Sequence, residues 1–170
     1  MGMMTRTWLA GSLLALLGGC ASQATPQTAA EAFNCNALNR AVVSADTGFT
    51  EIKGRLNDNR LMRSWQTDTQ AFHNACQILS SQRPEHYVCL GPLQSSDPRG
   101  ALVKGSEIIT QCLGETWQPH RSSSDRFEFT HQDSAAVVTL ETFINDRAQR
   151  MGTLSIYQNA TDAAPLAGES

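Results

Sequence analysis

The chain has 170 residues, with 13 Lys and Arg against 16 Asp and Glu and a formal net charge of −3. That length suits one domain with a core of its own. Its basic residues include only two lysines, Lys53 and Lys104, which argues against the clustered positive surface that holds nucleic acid or other polyanions.

The first nineteen residues read as a leader and not as part of the fold. Arg6 supplies the positive start, and an apolar run from Trp8 to Leu17 follows, interrupted only by Gly11 and Ser12. A membrane-spanning helix needs about 20 apolar residues, so this run fits the apolar region of a signal peptide instead. Directly after it stands Leu17-Gly18-Gly19-Cys20, which resembles the lipobox of bacterial prelipoproteins. The resemblance implies cleavage before Cys20, diacylation of its thiol and acylation (palmitate) of its new amino group. Several acyl chains anchor a protein stably, where one chain alone is marginal. An ordinary secretory signal with a cysteine near its end is the alternative. Ala21 follows Cys20, and the aspartate associated with inner-membrane retention is absent. The resemblance therefore implies a lipid-anchored protein of the cell envelope that faces the periplasm, at the outer membrane rather than the inner. Without the leader, 151 residues remain, with 12 basic and 16 acidic side chains and a net charge of −4.

Residues 20–27 read as a short polar tether, and the folded domain is expected over 28–158. Thr28 and Glu31 have the spacing of a capping box, and Leu38, Ala41, Val42 and Ala45 recur at helical intervals. They predict a first helix over about 29–46, stopped by Gly48. Strand character follows over 50–56 and, more weakly, over 62–69. Two short apolar runs, 75–79 and 85–91, flank a polar loop containing Pro84 and predict a hairpin. Asp97 as N-cap, Pro98 at the first helical position and Gly114 past the end delimit a second helix. Its apolar face runs through Ala101, Leu102, Ile108, Ile109 and Leu113, and Gly105 is small enough to let it lie close to a sheet. The last third predicts a three-stranded meander, over 126–129, from the Ser134 turn to Ile144, and over 151–158. Residues 159–170, rich in Ala, Gly and Pro, read as a disordered tail. No internal repeat is evident.

Four cysteines remain besides Cys20, and in an oxidising compartment an even number reads as two disulfides; free buried thiols are the alternative. An antiparallel hairpin that sets Leu79 opposite His86 also sets Cys76 opposite Cys89, within reach of a bridge. Cys35 and Cys112 are then left to pair and to tie the two helices together. The expected fold is a single α+β domain: helix, about four strands, helix, three-stranded meander, with an antiparallel sheet, helices on one face and two disulfides.

Catalytic motifs are missing. The sequence holds no H-E-x-x-H, no G-x-S-x-G and no phosphate-binding glycine loop. The spacing of His73, His86, His120 and His131 points to no metal site. Ser122 to Ser124, Asp125 and His131 contain the residue types of a hydrolase triad without any sign of its geometry. Glu115 beside Trp117 has the composition of a sugar platform, although Trp117 also suits core packing. The stretch from His120 to Arg126 reads as a polar connecting loop, with Trp117, His120 and Arg121 as weak binding candidates. These readings favour a non-catalytic lipoprotein without cofactor or metal that binds another protein or an envelope component. Alternatives are an immunity or inhibitor lipoprotein that neutralises a periplasmic toxin or hydrolase, and a structural outer-membrane component.

Overall fold

A computed structural model describes residues 32–58, 62–73, 75–80, 84–93 and 97–159. The leader, Cys20, the tether, the Thr28–Glu31 pair and residues 160–170 lie outside these. Helix α1 spans Cys35–Ala45 and α2 spans Pro98–Leu113. The strands are β1 (Leu56–Asp58), β2 (Arg63–Gln66), β3 (Cys76–Leu79), β4 (His86–Pro92), β5 (Gln118–Arg121), β6 (Arg126–His131), β7 (Ser134–Ile144) and β8 (Arg150–Gln158). All neighbours pair antiparallel in one eight-stranded sheet of order β1-β2-β3-β4-β8-β7-β6-β5. Two helices on an eight-stranded sheet make the domain mostly β. Each half is one helix followed by a four-stranded meander, and the two meanders meet along β4 and β8.

Helix α1 begins later than the sequence predicts. Asn34 is its N-cap, and the Asn34 side chain accepts from the Ala37 N–H at 3.1 Å. Before it, Phe33 bridges to Phe72 and Asn34 has extended backbone angles, so the chain enters the helix from an extended stretch. The expected face of Leu38, Ala41, Val42 and Ala45 is buried. The helix ends where Gly48 and Phe49 both take positive φ, 62° in each case. The Phe49 N–H bonds back to the Ser44 carbonyl at 2.7 Å, and the Ile52 and Lys53 N–H groups both donate to the Phe49 carbonyl at 3.1 Å. The strand expected over 50–56 is therefore a turn, and β1 starts only at Leu56. Phe49 and Ile52 are buried three residues apart on that turn, not by strand alternation.

Helix α2 has the predicted ends. The Asp97 carboxylate accepts from the Arg99 and Gly100 N–H groups, both at 3.0 Å, and the Gly114 N–H closes the last turn on the Thr110 carbonyl. A Cβ at Gly105 would come within 2.7 Å of a Leu140 methyl, so α2 does lie close on β7 at that position. Asn39 Nδ2 donates to the carbonyls of Cys35 and Cys112, each at 3.0 Å, beside the Cys35–Cys112 disulfide. The start of one helix is thereby fixed to the end of the other. The second disulfide joins Cys76 and Cys89, directly opposed on β3 and β4, with Leu79 opposite His86 as the hairpin register requires.

Both helices cover one sheet face. There Ala136, Val138 and Leu140 of β7 meet Leu154 and Ile156 of β8, Tyr87 and Cys89 of β4, and Phe129 of β6. Beyond the helices, loop residues Phe49, Ala71 and Phe72 complete the cover. Gly91 and Gly152 are opposed on β4 and β8 and leave this part of the sheet bare. A Cβ at Gly91 would overlap the His73 ring, and one at Gly152 would press on Leu93 and Phe72. The two glycines thus let the 71–73 segment and Leu93 lie against the strands.

Tyr87 anchors the same segment. Its buried hydroxyl donates to the Thr69 carbonyl at 2.7 Å and accepts from the Ala71 N–H at 3.0 Å, and burial holds its pKa far above the ordinary value. Tyr87→Phe leaves those two backbone groups unpaired and should lower the unfolding free energy by about 2 kcal/mol; an unchanged urea midpoint would remove the hydroxyl from this role. The Cys35–Cys112 bridge closes a loop of sequence separation 77 against 13 for Cys76–Cys89. Chain entropy then gives the first about 4.5 kcal/mol and the second about 3 kcal/mol. Cys35→Ala with Cys112→Ala should therefore lower the urea midpoint more than the equivalent change at the hairpin.

Candidate functional site

The segment read as a polar connector, His120 to Arg126, is largely strand. Residues Gln118–Arg121 form β5 and pair with β6, with Pro119 opposite Phe129 and Arg121 opposite Phe127. The pattern Gln-Pro-His-Arg has no alternating hydrophobicity, so only the partner strand reveals it. All four residues are exposed, because β5 is an edge of the sheet.

Strand geometry separates the three weak binding candidates. Trp117 precedes β5 and turns into the core, only 7% exposed, with the His131 ring 5.5 Å away. His120 and Arg121 are consecutive on β5, so their side chains leave opposite faces of the sheet. His120 is exposed on the face away from the helices. Arg121 lies on the helix side, its guanidinium 5.7 Å from the Phe127 ring centre, and donates to the Ser123 and Ser124 carbonyls at 3.1 and 2.9 Å. The same turn holds Asp125, whose carboxylate accepts from the Ser123 hydroxyl at 2.6 Å; that bond leads the effects that lower its pKa.

Arg121 also lines a groove between α2 and the β5–β6 hairpin. Glu107, Thr110 and Gln111 form one wall, and Pro119, Arg121 and Phe127 the other, around about 470 Å³. Half-buried Phe127 makes its floor apolar. Pro119 has no N–H to offer a further strand, which blunts this edge against open-ended pairing. The groove was hidden in the sequence, because its walls come from residues 106–111 and 119–127 and neither segment shows a contact pattern alone.

The other candidate constellations do not converge. Asp125 precedes β6 and His131 ends it, which separates them by about 20 Å of strand. Instead the His131 Nδ1 accepts from the Asp133 N–H at 3.0 Å. Trp117, facing the core, offers no sugar platform beside Glu115. Phe72 is wholly buried, and Trp65 is half-buried with its indole N–H on the Ser80 hydroxyl. That hydroxyl donates in turn to Glu85, which is paired with Lys53. Among the described residues, no three His, Cys, Asp or Glu side chains are grouped to hold a metal ion. Nor is any helix among them long and apolar enough to cross a membrane.

The uncovered sheet face carries a second polar group. His86 and Tyr157 stack at 4.8 Å across β4 and β8, and Arg126 reaches the Tyr157 hydroxyl at 3.4 Å and Glu128 and Glu141 at 3.7 and 3.8 Å. Burial raises the pKa of Tyr157, with the Glu128 charge adding to it. Compared with protein-family models, curated proteins and solved structures, the chain matches none of them.

Burial lowers the pKa of His86, and it lowers that of His73 against the opposing effect of a 3.0 Å bond from the His73 Nε2 to the Pro92 carbonyl. In the unfolded chain both titrate near 6.5. Below that pH the unfolded state binds more protons than the folded one, so stability falls as pH drops from about 6.5 toward the folded values. Urea unfolding should give a lower midpoint at pH 5 than at pH 7, and His86→Gln should shrink the difference. An undiminished difference in that variant would leave His86 without a part in it.

Proposed function

We propose that the protein is a non-catalytic, lipid-anchored envelope protein that binds another protein through the groove between α2 and the β5–β6 hairpin. The anchor is Cys20, and the domain faces the periplasm, at the outer membrane rather than the inner. One observation carries the reading. An apolar floor at Phe127 lies open between α2 and the β5–β6 hairpin, on an edge whose Pro119 discourages indiscriminate strand pairing. Apolar grooves with a charged rim are the usual seats of a partner's helix or extended segment. Arg121 sits at that rim with its guanidinium already oriented by two carbonyls, which suits an acidic group beside an apolar anchor.

Photo-crosslinking in intact cells tests this reading. A crosslinking side chain at Gln111 should trap one defined protein, and one at exposed Val43 on α1 should not. Adding Thr110→Arg, which fills the groove from the helix surface without entering the core, should abolish the adduct while the protein stays folded. Failure to form an adduct at Gln111 would overturn the groove as the binding surface. A toxin or hydrolase in the adduct would give the interaction an inhibitory purpose, and a large envelope assembly a structural one.

A further inference from the structure

Six large apolar side chains are conspicuously exposed among the described residues: Val43, Met62, Leu90, Val103, Phe143 and Ile144. Three of them gather at one end of the sheet. Pro92, Met151 and Phe143 stand opposite one another on adjacent strands β4, β8 and β7, all on the uncovered face. Leu90, 42% exposed, lies on the next row of that face, and Ile144, 61% exposed, closes the end of β7. The following turn is firmly built. The Asn145 side chain accepts from the Arg147 and Gln149 N–H groups at 3.0 and 2.9 Å, and the Asn145 N–H donates to the Gln149 carbonyl. Arg150, paired with Ile144 on the opposite face at this strand end, and Arg147 in the turn stand beside the apolar row and take part in no ion pair among the described residues.

The first described residues reach the domain at the same end. The Ala32 carbonyl accepts from the His73 N–H at 2.7 Å, and the His73 ring bonds the Pro92 carbonyl at 3.0 Å. Twelve peptide units separate Ala32 from Cys20. However they are arranged, they hold the two residues within about 40 Å, the reach of a fully extended chain. An anchor at Cys20 therefore keeps Ala32, and with it this end of the sheet, within about 40 Å of the bilayer.

From this placement we infer that the Phe143–Met151–Pro92 end of the sheet, with Leu90 and Ile144, docks on the phospholipid surface beside the lipid anchor. The apolar side chains enter the interface between headgroups and acyl chains, and Arg147 and Arg150 meet the phosphates. The inference rests on lipidation at Cys20. A second copy of the chain is the poorer occupant, because stable interfaces engage roughly 20–30 residues a side and this corner offers five apolar ones.

The acylated protein, purified from its envelope and placed in nanodiscs of phosphatidylethanolamine and phosphatidylglycerol, tests the docking when a spin-labelled lipid is added. The methyl resonances of Leu90, Ile144 and Met151 should lose most of their intensity, while those of Val43, Met62 and Val103 keep theirs. In Phe143→Ser, exposed enough to fold normally, the loss should weaken while the protein stays with the disc. Equal loss at all six sites, or none, would overturn the docking even where mass spectrometry finds the acyl chains on Cys20. A mature chain without acyl chains would overturn the lipoprotein reading and the docking together. Concentration-dependent shifts of these methyls in lipid-free micelles would assign the corner to a second copy, and Overhauser contacts to residues 21–31 would assign it to the tether; either overturns the bilayer as occupant.

Discussion

The pairing of β4 with β8 is the constraint on which the rest of the structure depends. It joins Tyr87 to Ile156 and runs to Pro92 opposite Met151, linking residues 59 to 69 positions apart. Every other ladder in the sheet joins strands consecutive in sequence. Those local ladders close short loops, whereas this one carries the loop-closure cost of the whole second half of the chain. Once it forms, the two meanders become one sheet, and α1 and α2 find themselves on the same face with their ends close enough for the Cys35–Cys112 bridge. The bridge then removes from the unfolded chain part of the freedom that the β4–β8 ladder must overcome.

An eight-stranded sheet is wide for two helices, and the cover is completed by loops. The helices lie over β7 and the part of β8 beyond Gly152, and at Gly152 itself Leu93 and Phe72 take over. Over β3 and β4 the burial comes from Phe49 in the turn after α1 and from Ala71 and Phe72 in the segment after β2. Irregular backbone in such a place must satisfy its own polar groups. Tyr87 does so from below, by serving the Thr69 carbonyl and the Ala71 N–H, while the opposed Gly91 and Gly152 provide the space. A side chain, two missing side chains and one buried loop thus form a single packing solution. The other face has no such cover, and its polar character, with Arg126, Glu128, Thr153 and Ser155 on it, is consistent with lying in water.

The parts of this fold that were legible in the sequence are those specified within one element or one hairpin. Asp97, Pro98 and Gly114 delimit α2 by local backbone chemistry, and the period of two through residues 134–144 marks β7. The Cys76–Cys89 pairing follows from a hairpin register. What failed depended on distant partners. The turn at Phe49–Ile52 looks like a strand because its apolar residues are packed by elements the local pattern does not contain. β5 is held by its ladder to β6 and carries a proline and two charged or polar neighbours, so its own composition argues for a loop. Trp117 suits core and surface alike by its local pattern, and only the path of the chain after Gly114 turns it inward. The groove shares this cause: Phe127 reads as a core residue of an alternating strand, and only α2, brought across by the sheet, leaves it at the bottom of a depression.

The two proposed surfaces are compatible because they lie on different sides of the strand directions. Residues 92, 143 and 151 mark the ends of central strands, whereas β5 is a lateral edge and the α2 groove runs beside it. A bilayer meeting the strand ends would leave that edge facing the periplasm, so anchoring and partner binding need not compete. The hairpin pairing sets Arg121 opposite Phe127 and Gln118 opposite Thr130, and β6 in turn sets Arg126 opposite Glu141, two residues from Phe143. On the proposed docking, the Arg121 end of the groove would lie nearer the bilayer, and the Gln118 end of β5 farther from it. A partner approaching from the aqueous side would meet Pro119 and the middle of α2 first. Arg121 stands at the rim directly across the strands from Phe127, so a partner that seats an apolar anchor on Phe127 brings the group beside that anchor against the guanidinium, and shape and charge are read at one place.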